Sequence, residues 1–331
     1  MKLFNKVSQV VVSTALLVSF PVFSQEVTVL SGPAEARAWM QANDWWGPFP
    51  AETAEPLQAP YEMLAGISKR WQKEAPALPV ADKKAIFFRA LLPLVLHANK
   101  MVRERRTRLE ALAANPAAIS AGDREWLMQM AGNLKIKESQ PVADIIDEAL
   151  YKLDELPPGL VLGQAAYESG YGTSRFAVDG NSFFGEWNFG DSAMKPKDQR
   201  SELGNYGIAS FDWPFDSVRS YFINLSSHRA YEPLRRIRAD LKAAGKPVTS
   251  LALAEGLVKY SERGQDYVDT LQGIIRVNKL YTADTAVLRD ETMAFVLGVS
   301  SEGEAEEIRA EVATMRDNGE LDKIIRQMQL D

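Results

Sequence analysis

The 331-residue chain contains no cysteine and only two histidines, His97 and His228. Without thiols there is no disulfide framework, no thiolate metal site, no cysteine nucleophile and no lipid-bearing N-terminal cysteine. Two histidines argue against a histidine-rich metal centre, and a Ser-His-Asp triad would depend on one of those two rings. Positive charge is also short: 38 Lys and Arg stand against 44 Asp and Glu, a formal charge of −6 at pH 7. Such a surface is poorly suited to neutralising phosphates, so nucleic acid is not an expected partner. No metal or organic cofactor is implied. Carboxylates are what remain for catalysis.

The chain is 46% hydrophobic and 25% charged, enough for a real core and for about two domains. Lys2 and Lys6 precede the uncharged run Val10 to Val22, and Val22 and Ser24 suit a signal-peptidase site after Ser24. That run has 13 residues, whereas a bilayer-spanning helix needs about 20. Residues 1–24 are therefore expected to be a cleaved export signal. Its loss takes the formal charge to −8 and leaves no integral membrane segment, so the mature chain belongs in the periplasm, the cell envelope or outside the cell. Residues 25–60, rich in Pro, Gly, Ala and Trp, read as an extended lead-in. Residues 61–145 are helical in pattern, with Asp82 a candidate N-cap and Pro93 expected to kink or break the helix that follows. Residues 146–285 form the next unit. Within it, Glu186 to Phe211 is polar and Gly-punctuated, as in a loop with a short hairpin, and Phe215, Val218, Tyr221, Phe222 and Leu225 then mark one helical face. Residues 286–331 hold a charged amphipathic helix suited to docking or to a partner.

The informative stretch is "GQAAYESGYGTSRFAVDGNSFFGEW", Gly163 to Trp187. Leu160 to Glu168 is apolar or small on nearly every side, which predicts a buried central helix, and Gly170 supplies a left-handed stop. Glu168 then lies in the last turn. There the negative end of the helix dipole and the apolar walls both disfavour an ionised carboxylate, and a raised pKa is what a general acid needs. The small residues Ser169, Gly170 and Gly172 leave room for the carboxyl to open into a cleft, and Thr173 or Ser174 can cap a following helix. The plainer alternative is an ion pair, for instance with Arg175.

"AAYESGYGTSRFAVDGNSFFG" resembles the signature of the glucosaminidase family of peptidoglycan hydrolases (glycoside hydrolase family 73): an alanine-rich helix ending Glu-Ser-Gly-aromatic-Gly, then Ser-Arg and Asn-x-Phe-Gly. The stretches "KKAIFFRALLPLVLHANK", "SVRSYFINLSSHRAYEPLRRIRADLKAAGKP" and "LAEGLVKYSERGQDYV" are similar to its Bax-like branch, and the resemblance spans roughly residues 60–285. It implies a mainly α, lysozyme-like fold (α+β) with a small hairpin beside the cleft. It also implies endo-β-N-acetylglucosaminidase activity on peptidoglycan, cutting the β-1,4 bond on the N-acetylglucosamine side with Glu168 as general acid. The family places its second acid on the hairpin, where this chain offers Glu186, Asp191, Asp198 and Glu202, with Glu202 the first choice. The sugar's own acetamido group is the alternative nucleophile. Phe184, Trp187 and Tyr206 are candidate aromatic platforms for sugar rings. By family match Tyr231 and Tyr260 line the cleft, Tyr231 nearest the chemistry, and Asn181 positions the loop after the acid helix. His228 is expected to pack or cap, and His97 to be structural. Two rival functions stay open: a lytic transglycosylase of the same fold, leaving 1,6-anhydro products, and a non-catalytic wall-binding or scaffold protein.

Overall fold

The computed structural model describes residues 27–188, 190, 193–196 and 206–321, so the expected export signal lies outside the described residues. In chain order the first elements are β1 (Val27–Leu30), α1 (Pro33–Ala42), β2 (Gln58–Ala59), β3 (Glu62–Gly66), α2 (Lys69–Glu74), α3 (Val80–Ala113), α4 (Ala121–Asn133) and α5 (Val142–Lys152). Then come α6 (Pro158–Ser169), α7 (Arg175–Gly180), β4 (Trp187–Asn188), β5 (Gly207–Ile208), α8 (Pro214–Ser227), α9 (Glu232–Ala243), α10 (Ser250–Ala254) and α11 (Gln265–Val277). The described chain closes with β6 (Val287–Leu288), β7 (Ala294–Gly298) and α12 (Glu302–Asp317). The class is mainly α, with the small antiparallel hairpin β4–β5 that the resemblance implied.

Helix α3 is the spine, packed against α5, α6, α8 and β3. Its 34 residues run unbroken through Pro93, against the expected break. Proline denies a hydrogen bond to the carbonyl four residues earlier. That carbonyl belongs to Arg89, and it accepts instead from the Trp45 indole at 2.9 Å. The Arg89 side chain in turn donates to the Gly47 carbonyl at 3.0 Å, fixing the loop that delivers Trp45. Asp82 is not the N-cap, which is Pro79; it sits in the first turn and pairs with Arg37 at 2.9 Å. Helix α3 is long and apolar enough to cross a membrane, yet 89% of its apolar window is buried within the protein. It is a core helix.

The two ends of the described chain come together. In a fully parallel sheet of order β1-β7-β3, Val27 pairs with Phe295 and Met63 also pairs with Phe295, so C-terminal β7 is the central strand. A second parallel pair joins Gln58 to Val287. The lead-in read as extended thus contains a paired strand and a ten-residue helix. The C-terminal helix forms as expected: Ser301 Oγ caps it by accepting from Glu304 N at 3.2 Å, and Arg309 ties it to the Val29 carbonyl. The layer rests on α3, so the segments flanking the central helical unit form one structure.

Candidate active site

Helix α6 is buried from Pro158 through Ala166 and ends at Gly170, which is left-handed at φ 59°, ψ 44°. Tyr171 and Gly172 are also left-handed, at φ 59° and 73°. Such a conformation is costly for tyrosine, so its surroundings must hold it. The ring packs edge-on against Phe87 and Phe88, each centroid 5.7 Å away, and its carbonyl accepts from the Trp71 indole at 3.1 Å. Gln72 donates to the Thr173 carbonyl at 3.0 Å. Ser174 then caps α7 by accepting from Ala177 N.

This turn sets Glu168 at a half-buried position on the helix end. Its Oε1 accepts from the Tyr267 hydroxyl at 2.9 Å. One turn earlier, the fully buried Gln164 donates through Nε2 to the same Tyr267 oxygen at 2.8 Å and accepts from the Tyr221 hydroxyl at Oε1. Tyr267 receives one proton from Gln164, so its own hydroxyl proton is directed at the carboxylate. Burial pushes the Glu168 pKa up, with the Tyr267 bond opposing. Arg175 makes no pair with it and donates to the Lys195 carbonyl instead.

Glu168 Oε2 faces the backbone of Gly185, where φ is +62° and a Cβ would lie only 3.7 Å from that oxygen. The next residue is Glu186. Its Oε2 accepts from Ser220 Oγ at 2.7 Å, and its buried Oε1 has no hydrogen-bond partner among the described residues. Burial drives its pKa up to about 7 against the pull of Ser220. Of the four acids considered for a second role, Glu186 is the one whose placement can be described. Glu202, the first choice, lies outside the described residues with Asp191 and Asp198.

The predicted aromatic residues separate by burial. Trp187 is 49% exposed and stacks on the buried Tyr206 at 5.0 Å, an outward ring backed by a second one. Phe184 is 2% exposed and stacked on Tyr221 at 4.1 Å, so it offers no face to a sugar; its expected role as a platform is corrected to core packing. Tyr260 donates to the Phe184 carbonyl at 2.9 Å, holding the Glu186 loop, and stacks on Tyr267 at 5.5 Å. Tyr231 lies 5.7 Å from Tyr260, and burial together with the charges of Glu186 and Glu168 raises its hydroxyl pKa to about 12. Tyr231 therefore stands within the field of both carboxylates. Asn181 is the left-handed C-cap of α7 and donates through Nδ2 to the carbonyls of Phe211 and Asp212, both at 3.1 Å. That geometry positions the loop; its amide nitrogen is engaged by backbone. His228 accepts at Nδ1 from Ala230 N, capping the turn that carries Tyr231. His97 is buried against Tyr61, its Nδ1 2.7 Å from the Tyr61 hydroxyl.

The residues that orient Glu168 and Glu186, namely Gln164, Tyr267, Tyr221 and Ser220, are not read from sequence as site residues, and Tyr221 is placed there only on a helical face. Gln164 carried a signal: it is the single amide in an apolar run and lies four residues before Glu168.

The profile of the glucosaminidase family, described as mannosyl-glycoprotein endo-beta-N-acetylglucosaminidase, matches residues 144–280. This range holds both carboxylates and every tyrosine around them. Residues 144–280 are a glucosaminidase-family domain. The chain is also similar to Protein bax of Escherichia coli (strain K12), with 29% identity over 198 residues, 60% of this chain and 70% of that protein. No solved structure matches it significantly. The glucosaminidase domain is thus framed by segments beyond the profile: α2 and α3 hold the turn after Glu168, and the terminal sheet backs α3.

Proposed function

We propose that the chain is an exported glycoside hydrolase that cuts peptidoglycan glycan strands at the β-1,4 bond on the N-acetylglucosamine side. The observation that carries this reading is the placement of Glu168. It is a half-buried carboxyl at a helix end, oriented by Tyr267, with its second oxygen facing the loop that bears Glu186. Protonated Glu168 gives its proton to the bridging oxygen as the bond to the anomeric carbon breaks. Ionised Glu186 accepts a proton from the attacking water, and Tyr231 stands in the field of both groups. Trp187, on its Tyr206 support, offers an apolar face to a sugar ring.

Glu186 also weighs against the lytic transglycosylase reading, in which a single glutamate serves as acid and base. Mass spectrometry of muropeptides released by the purified protein tests the choice. Fragments with reducing-end N-acetylglucosamine are expected; 1,6-anhydro-muramic ends would overturn the hydrolase assignment.

A further inference from the structure

A depression of about 580 Å³ is lined by Lys135, Lys152, His228, Arg229, Glu232 and Arg235. This volume falls within the range of small-ligand sites. Its charge contrasts with the acidic chain around it. Lys152 is matched by Glu148 at 2.8 Å and donates to the Leu134 carbonyl. Arg235, its side chain 2% exposed, pairs with Glu232 at 2.9 Å and donates to the carbonyls of Leu225 and His228. Glu232 further accepts from Tyr151 at 2.7 Å. That leaves Lys135 and Arg229, which have no acidic partner among the described residues. Repulsion from Lys135, Arg229 and Arg235 adds to burial in lowering the His228 pKa.

Lys135 is itself unusual. It follows the C-cap of α4 at φ 54°, a left-handed position where glycine is preferred. A run of aromatic rings links the depression to Glu168. The His228 ring is 5.8 Å from Tyr231, Tyr231 is 5.7 Å from Tyr260, and Tyr260 is 5.5 Å from Tyr267, which bonds Glu168. A neutral sugar strand offers these cations nothing to pair with.

We infer that the depression is a subsite for carboxylate-bearing groups, held by Lys135 and Arg229; its ligand, resting on the glycan reading above, is the peptide arm of peptidoglycan. Arg235, fixed by Glu232 and two backbone carbonyls, and Lys152, paired with Glu148, complete the lining. Both free cations are exposed, so the attraction weakens as salt rises.

The test compares wild type with the double variant Lys135→Ala/Arg229→Ala, which leaves Glu168, Glu186 and Tyr231 intact. Each is assayed on glycan strands bearing peptide arms and on the same strands stripped by an amidase, with the lactyl carboxyls freed by that cleavage capped as neutral methylamides. Exposed charge pairs contribute about 0.2–1 kcal/mol each. Wild type should therefore show a KM about two- to thirtyfold lower on peptide-bearing strands. The double variant should lose that preference and retain its rate on stripped strands, and added salt should shrink the wild-type preference. If wild type cuts both substrates with equal KM and the variant changes neither, the subsite is overturned while the glycan reading stands. If wild type cuts neither, the glycan reading falls, and NMR of the His228 ring, one of two imidazoles, still decides the subsite. A soluble D-alanine-terminated peptide should shift that ring in wild type and not in the double variant. No shift with the peptide, or a shift with inorganic phosphate alone, overturns the peptide assignment.

Discussion

Replacing Glu186 by glutamine should remove a pH-dependent weakness from the fold. Its carboxyl is pushed from an ordinary 4.5 to about 7 by burial, with only Ser220 in opposition. A carboxyl with a raised pKa binds its proton more tightly folded than unfolded. Between pH 4.5 and 7 the folded state therefore holds more protons, and stability declines as pH rises through that window. Above about pH 7 both states are ionised and the loss is complete, about 3 kcal/mol for a displacement of this size. Glu186→Gln has no such titration. Its constant offset includes whatever the new amide costs beside Ser220, about 1–3 kcal/mol if a donor is left unsatisfied. Urea unfolding of both proteins from about pH 4 to 8 separates the two effects. The wild type should lose about 3 kcal/mol relative to the variant as pH rises, then run parallel to it. Asp284, also raised to about 6, is present in both and cancels. A gap constant across the whole range would refute the buried-carboxyl account of Glu186.

Three further outcomes follow from the same geometry. Ser220→Ala removes the bond that favours ionised Glu186, so its pKa rises, less of the base is ionised and kcat/KM at neutral pH should fall. Tyr267→Phe removes the bond that favours ionised Glu168. A larger share of Glu168 should then be protonated at any given pH, followed by NMR of the labelled carboxyl, with a stability loss of about 1–3 kcal/mol because Gln164 Nε2 loses its acceptor. Gly159→Ala should destabilise by about 1–3 kcal/mol in urea unfolding, because its Cβ would lie 2.5 Å from the Leu280 carbonyl oxygen.

The acid helix was legible because its signals are local. A run of apolar and small residues fixes the burial of α6, and Gly170, two positions after Glu168, fixes the last turn and the left-handed stop. The hairpin and the face of α8 were equally readable, since periodicity and turn residues act over a few positions. The terminal sheet was not. Val27 meets Phe295 across almost the whole chain, and strands of four and five residues carry too little pattern to announce a distant partner. Pro93 misled for a similar reason: the residue that satisfies the orphaned carbonyl, Trp45, is remote in sequence. Phe184 and Trp187 looked alike as aromatic residues near the hairpin, and only packing separates the sealed ring from the open one. The partners that orient the carboxylates come from α6, α8 and α11, a convergence that no short motif encodes.

The role of Glu168 is tested most directly by Glu168→Gln on purified cell wall, following both strand cleavage and sedimentation with the insoluble glycan. The variant should bind like the wild type and release no new reducing ends. Cleavage persisting near the wild-type rate would contradict the assignment of this carboxyl as the proton donor.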